Sequence, residues 1–290
     1  MTSSKEELFL YNLVMVALII VIILLIFWLY LIAIFPNLTR RPFLKPYENV
    51  YIAHRGLFDN VKVPENSISA FKKAVKNGYG IELDVQLTTD NKLVVFHDES
   101  LLRMTGIDKI LNRCSYDEIS KLHLLDTKQT IPLFTDVLKL LNKDTPLIIE
   151  IKSEGRCIDA TKKVVEIMKD YDGIYNMESF NPNVVRYLRE NEPNIIRGQL
   201  SYNYFKDENS HISIILKFIL TNLLLNFYTK PDYIAYDCEN IDNLSFKILS
   251  CVYKAECVAW TVKSQKQLDN MKKYYKCFIF DSFIPNKRGD

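Results

Sequence analysis

From residue 50 onward the chain alternates short β-branched runs with helical patterns, and no other feature constrains its fold as much. Strand patterns lie at 50–54, 81–87, 93–97, 147–151, 174–178, 195–199, 233–236, 257–262 and 277–281. Helical patterns fill the gaps at 67–77, 159–169, 182–190, 244–254 and 265–274, with Glu65-Asn66 and Gly78 as start and stop signals for the first. Only residues 88–92 separate the second and third strands, too few for a crossover helix, so these two form an antiparallel hairpin. A turn at Asp90-Asn91 makes residues whose numbers sum to 181 face each other, which pairs Asp84 with His97. Setting the return strand aside leaves eight strands in residues 50–290, the size and rhythm of one (β/α)8 TIM-type barrel of the α/β class. Residues 99–146 are too long for a βα connection and predict a small insertion over the barrel mouth.

Ahead of the barrel, every residue of 13–35 is apolar, Tyr or Trp, and no charge intervenes between Glu7 and Arg40. That run exceeds the ~20 residues needed to cross a bilayer. It is also longer than the apolar core of a cleaved signal peptide, and 36–39 offers no small-residue cleavage site, so the sequence predicts an uncleaved transmembrane helix. The division is therefore a tail at 1–12, an anchor at 13–35, a connector at 36–49 stiffened by Pro36, Pro42 and Pro46, and the barrel at 50–290. Lys5, Glu6 and Glu7 precede the span while Arg40, Arg41 and Lys45 follow it, which places the barrel in the cytoplasm by the positive-inside rule. Six scattered cysteines without a Cys-x-x-Cys pair fit free thiols in a reducing compartment. With Lys+Arg 37 against Asp+Glu 35 and no basic stripe, the footprint of a nucleic-acid binder is missing.

Candidate chemistry sits at strand ends, where barrels of this class build their sites. His54 ends the first strand; Glu82 and Asp84, two apart, point to one side of the second; His97 ends the hairpin; Glu150 and Lys152 repeat the spacing on the fourth run. Taken singly, a histidine at a strand end is usually a hydrogen-bonded structural group. Taken together, inward charges on strands otherwise made of Val, Ile and Leu are costly to bury without partners. Three carboxylates suit a hard divalent cation, and two flanking imidazoles suit a general base and a general acid.

The sequence resembles the glycerophosphodiester phosphodiesterase family. The resemblance rests on Ile52-Ala53-His54-Arg55-Gly56, Pro64-Glu65-Asn66-Ser67 with Ala70-Phe71, Glu82-Leu83-Asp84-Val85-Gln86, Thr88 and Asp90, Val94-Val95-Phe96-His97-Asp98, Glu150-Ile151-Lys152, Ser179-Phe180 and Ala259-Trp260-Thr261-Val262, in family order to Phe280-Asp281. It implies a metal-dependent phosphoric diester hydrolase of lipid metabolism that releases glycerol phosphate and an alcohol by way of a cyclic phosphodiester. His54 matches the family's general base and His97 its general acid. Glu82, Asp84 and Glu150 match the ligands of a divalent cation, Ca²⁺ or Mg²⁺. Arg55 matches the phosphate-holding arginine and Lys152 a lysine that steadies the phosphate or metal shell. Trp260 either lines the alcohol pocket or fills the barrel; Glu65 and Asn66 read as loop-fixing and N-capping; His123 and His211 match nothing.

Two features depart from soluble members: the anchor, and the very apolar segment 211–228, in which Ser213, Lys217 and Thr221 form one polar stripe. This segment is expected to form one helix that docks on the membrane near the mouth, or else packs under 99–146. A lysophospholipase D-like activity on an acylated glycerol then stands beside hydrolysis of soluble diesters. A catalytically inactive, membrane-tethered scaffold would have lost an acid, base or ligand, and none is missing.

Overall fold

The computed structural model describes residues 2–40, 45–48, 50–208 and 212–286. Arg41, Pro42 and His211 lie outside the described residues. The chain opens with a long helix, α1 (Thr2–Ile34), and then builds a closed sheet of eight parallel strands. These are β1 (Tyr51–Ala53), β2 (Gly80–Leu87), β4 (Leu147–Ile151), β5 (Tyr175–Ser179), β6 (Arg197–Ser201), β7 (Tyr233–Asp237), β8 (Glu256–Val262) and β9 (Cys277–Phe280). Parallel pairing of β1 with both β9 and β2 closes the barrel. Around it run α2 (Ile68–Lys76), α3 (Cys157–Met168), α4 (Pro182–Asn191), α5 (Ile214–Thr221), α6 (Leu244–Lys247, continued as a wider turn through Val252) and α7 (Gln265–Met271).

Alternation along each strand divides the core in two. Ile52, Ile148, Leu200, Tyr233, Val258 and Ile279 fill the barrel interior, while their sequence neighbours pack outward against the helices. Gly198 makes room for the largest inner side chain, because a Cβ there would stand 2.2 Å from the Tyr233 ring.

Strand β3 (Leu93–Val95) pairs antiparallel with β2 along the edge that the three-residue β1 leaves open. The hairpin forms as expected, but its register corrects the expected one. Val85 faces Val95 and Leu87 faces Leu93, so partner numbers sum to 180 and Asp84 lies opposite Phe96 rather than His97. The cause is a three-residue loop closed by Thr88 and Lys92, with Asn91 in the left-handed region at φ 59°, where the two-residue turn was expected.

Residues 99–146 carry short helical turns and a hydrophobic cluster of their own, among them Leu101, Met104, Leu111, Ile119 and Ile131, with Phe96 joining from the β3 side. The expected single helix over 211–228 is not what forms. It is interrupted after Thr221, where Asn222 caps α5 and Leu223 turns left-handed at φ 55°, and one further turn follows at Asn226–Thr229. Of its polar stripe, exposed Ser213 caps α5, while Lys217 and Thr221 meet the segment after β6 and not 99–146: Lys217 Nζ donates to the Asp207 carbonyl, and Thr221 Oγ1 accepts from the Tyr204 amide.

Helix α1 is apolar on all sides, with a mean hydropathy of 3.3 over its most apolar window, and Glu7–Ile34 is long enough by length and composition to cross a bilayer. Its final turn is fixed to the barrel. Tyr30 Oη lies 2.8 Å from Ser245 Oγ, Tyr253 Oη donates to the Leu31 carbonyl, and Asn226 Nδ2 donates to the Ile34 carbonyl. Beyond it, Arg40 donates to the carbonyls of Pro193 and Asn194.

Candidate active site

The site occupies the mouth of the barrel, where β1 stops and β3 takes over its edge. Glu82 and Asp84 project inward from β2 and Glu150 from the neighbouring β4, where Asp84 and Glu150 are in register. One oxygen from each of the three lies within 4.8 Å of the others, and all three side chains are buried. Lys152 Nζ stands 2.8 Å from Glu150 Oε1 and 3.5 Å from Asp84 Oδ1. The expected acidic cluster is thus assembled, with its lysine beside it.

Burial raises the Glu82 carboxyl well above the usual range, and the Asp84 and Glu150 charges add to it; burial also raises Glu150. Asp84 is held low in spite of burial by Lys152, His97 and Arg55. Glu82 Oε1 and Asp84 Oδ1 are buried and find no hydrogen-bond donor. Orphaned, mutually repelling carboxylate oxygens are what a hard cation with oxygen ligands satisfies, so this donor set fits Ca²⁺ or Mg²⁺.

Each expected histidine carries a carboxylate on Nδ1. His54 Nδ1 lies 2.9 Å from Asp281 Oδ2, and His97 Nδ1 lies 2.6 Å from Asp98 Oδ1. Carboxylates only accept, so each ring donates from Nδ1 and keeps Nε2 as its free nitrogen. His54 Nε2 is 3.9 Å from Glu82 Oε2. Burial, then the adjacent Arg55 charge, lowers the His54 pKa, while the Asp281 contact works the other way. His97, whose charge acts on Asp84 and Glu150, lies beyond the last ladder bond, which the Phe96 amide gives to the Asp84 carbonyl. Gln86 Nε2 holds the chain there, with the carbonyls of Phe96, His97 and Asp98 all within 3.2 Å.

Arg55 follows His54 with φ 53°, a strained conformation for a side-chain-bearing residue, and its amide donates to Glu82 Oε2. Its Nη1 donates to Glu65 Oε1 at 2.7 Å, and its Nε, 3.5 Å from Asp84, has no hydrogen-bond partner. Gly56 must come next: at φ 79° a Cβ would meet the Ala70 backbone at 2.8 Å. Trp260, at the end of β8, is half-buried with its ring edge-on to Phe180 and Tyr202.

One minor expectation needs correction and another is extended. Asn66 does not cap α2; Ser67 does, by accepting from the Ala70 amide, while Asn66 Nδ2 donates to Asp84 Oδ2 at 2.8 Å. Glu65 does more than fix a loop, since Arg55, Asn60 and Arg103 all donate to it. Four further residues at the site, Asp281, Asp98, Arg103 and Glu178, carry no role on sequence grounds. Asp98, next to His97, could have been found by adjacency. Arg103, from the insertion, bridges Glu65 to Asp98, a pairing across 38 positions that no local pattern signals. Glu178 lies beside Glu150 on β5; burial pushes it up to about 8, against the hydrogen bond from Tyr233 Oη at 2.8 Å. His123 sits in the insertion, bridged to Thr130, away from the cluster.

The model of the glycerophosphoryl diester phosphodiesterase family matches residues 54–282. A glycerophosphodiester phosphodiesterase of Caldanaerobacter subterraneus is 36% identical over 165 residues, covering 53% of this chain and 67% of that protein. Glycerophosphodiester phosphodiesterase 1 of Bos taurus is 26% identical over 285 residues, covering 86% of this chain and 81% of its own length. The crystal structure of the glycerophosphodiester phosphodiesterase from Thermotoga maritima superposes with a TM-score of 0.62 at 26% identity, over 80% of this chain and 95% of that one. The chain belongs to the glycerophosphodiester phosphodiesterase family and is an enzyme, a phosphoric diester hydrolase.

Proposed function

We propose that the enzyme hydrolyses glycerophosphodiesters to glycerol phosphate and an alcohol, with His54 as general base, His97 as general acid and a divalent cation on Glu82, Asp84 and Glu150. The observation that carries this reading is the pair of carboxylate-anchored histidines flanking three buried carboxylates with two orphaned oxygens. When bound, Ca²⁺ or Mg²⁺ supplies Lewis-acid stabilisation of charge on a phosphate oxygen. His54, kept neutral by its lowered pKa, takes the proton of the attacking hydroxyl at Nε2, and Asp281 steadies the imidazolium so formed. His97 gives the proton on its Nε2 to the departing alcohol oxygen as the bond to phosphorus breaks, leaving a cyclic phosphodiester; water, giving a proton to His97, then opens the ring to glycerol phosphate while His54 returns its proton to the glycerol oxygen. Arg55 turns from Glu65 to the phosphate, and Lys152 adds a second positive charge on the Glu150 side. Trp260, with Phe180 and Tyr202, walls the substrate pocket.

The same proposal divides the chain as tail, anchor, connector and barrel with its 99–146 insertion, and makes α1 a single-pass anchor with the barrel in the cytoplasm. Its support is the length and hydropathy of α1 and the basic residues Arg40, Arg41 and Lys45 that follow it. Membrane contact through 211–228 belongs to this reading. A lysophospholipase D-like activity is the second reading, favoured by α1 and by the apolar exposure of α5. Phosphorus NMR of the purified enzyme with glycerophosphocholine and lysophosphatidylcholine separates the two. Release of glycerol phosphate from the first supports the primary reading, turnover of the second alone supports the alternative, and turnover of neither removes both.

A further inference from the structure

The contacts of α1 give it a direction. Tyr30 meets Ser245 near the start of α6, at the mouth end of the barrel, whereas Phe35 packs edge-on to Tyr253 past the end of that helical stretch. Asn37 and Arg40 then reach Pro231, Pro193 and Asn194, all just ahead of strands β6 and β7 and so at the opposite end. The chain runs from mouth to base between Tyr30 and Arg40, and the rest of α1 therefore projects beyond the mouth. Every large apolar side chain from Leu8 to Leu29 is exposed, and at ~1.5 Å per residue that stretch alone is about 33 Å long, enough for the hydrocarbon core of a bilayer. The bilayer thus begins near the level of Ser245, the rim on which the site opens.

The second observation is α5, which sits on that same rim. Its end is held by Ser201, Tyr236 and Asn243, residues at the mouth ends of β6 and β7 and just before α6. Lys217 and Thr221 turn inward, while Ile214, Ile215 and Phe218 are 72%, 70% and 54% exposed, with Leu244 exposed at the start of α6. Beneath it, a cleft of about 450 Å³ runs from Ile212 and Leu220, past Tyr204 and Phe180, to Glu150 and Lys152. The cleft is apolar at its α5 end and charged at the cluster, the polarity order of a lipid with one chain and a phosphodiester head.

We propose that the barrel mouth is turned toward the bilayer, with α5 resting on the leaflet that α1 crosses, so that a single-chain phosphodiester lipid enters the site through the cleft beneath α5. The inference rests on the reading of α1 as a span and deepens the proposed activity by naming its substrate class. A surface helix with an apolar face and a buried polar one binds an interface through that apolar area, and the adjacent anchor holds it there permanently.

The test uses the full chain in phosphatidylcholine nanodiscs, with Cys251→Ser removing an exposed thiol. A bimane label is placed at Ile215→Cys on α5, at Leu18→Cys in α1, or at Lys169→Cys past α3 at the barrel base, and doxyl-labelled lipids serve as quencher. Strong quenching at 18 and 215 with little at 169 supports the proposal. Quenching at 18 alone, including a 215 site covered by a second copy of the chain, overturns it while leaving the span intact. Absence of quenching at 18 overturns the span reading and this inference together. As a second readout, Ile214→Asn, Ile215→Asn and Phe218→Asn combined lower the ratio of kcat/KM for lysophosphatidylcholine to that for glycerophosphocholine by about tenfold or more. An unchanged ratio contradicts entrance beneath α5.

Discussion

Asp281 Oδ2 lies 2.9 Å from His54 Nδ1, joining the residue after the last barrel strand to the residue after the first. Closure of the barrel brings them together, since β1 and β9 pair in parallel and the His54 amide donates to the Phe280 carbonyl. The carboxylate fixes which ring nitrogen faces the cluster and stabilises the ring once it gains a proton. Asp281→Asn therefore lowers kcat on the order of 10²-fold with KM little changed, and His54→Ala and His97→Ala each lower it by roughly 10²–10⁴-fold. Steady-state kinetics on glycerophosphocholine checks this; an Asp281→Asn enzyme retaining more than half its kcat contradicts it.

Arg103 is a positioning residue that ties the insertion to both halves of the site, with Nη1 and Nη2 on Glu65 and Nε on Asp98 Oδ2 at 2.6 Å. Its planar fork places three nitrogens on two carboxylates in one fixed geometry, which the single nitrogen of a lysine does not reproduce. Arg103→Lys and Arg103→Ala both lower kcat, by roughly 10-fold or more by analogy with other outer-shell partners, and neither weakens divalent-ion binding as Glu150→Gln does. Calorimetric titration with Ca²⁺ or Mg²⁺ beside the kinetics separates the two effects.

How much of this was legible in the sequence follows from the range of each interaction. The strands were readable because β-branched runs record local burial, and Glu82, Asp84, Glu150 and Lys152 because a spacing of two fixes a common face. The hairpin register was not, because it depends on Asn91 adopting a left-handed conformation, and that one residue shifts every pair. Arg103 reaches Glu65 and Asp281 reaches His54 only through tertiary closure, and single-sequence patterns carry no trace of such contacts. In 211–228 the sequence shows the apolar composition but not the interruption of the helix, since the break at Asn222-Leu223 has neither Gly nor Pro to announce it.

Glu178 gives a pH dependence of definite sign. Its folded pKa of about 8 exceeds the reference 4.5, so the folded state binds the extra proton. The stability this contributes is fully present below pH about 4.5 and is lost as pH rises through about 8. Glu178→Gln keeps the shape without the titration, and its stability relative to wild type rises between pH 4.5 and 8 by on the order of a few kcal/mol. Thermal unfolding of both proteins at those two pH values measures it; a difference that does not change with pH contradicts the assignment.

The central claim is that the buried carboxylates Glu82, Asp84 and Glu150 make hydrolysis depend on a divalent cation. The most direct measurement follows glycerol phosphate release from glycerophosphocholine before chelation, after exhaustive chelation, and after return of Ca²⁺ or Mg²⁺, in the wild-type enzyme and in Glu150→Gln. Chelation is expected to abolish release, the returned ion to restore it in the wild type, and Glu150→Gln to need at least about tenfold more ion for the same rate. Release that persists unchanged in the chelated wild-type enzyme would contradict the claim.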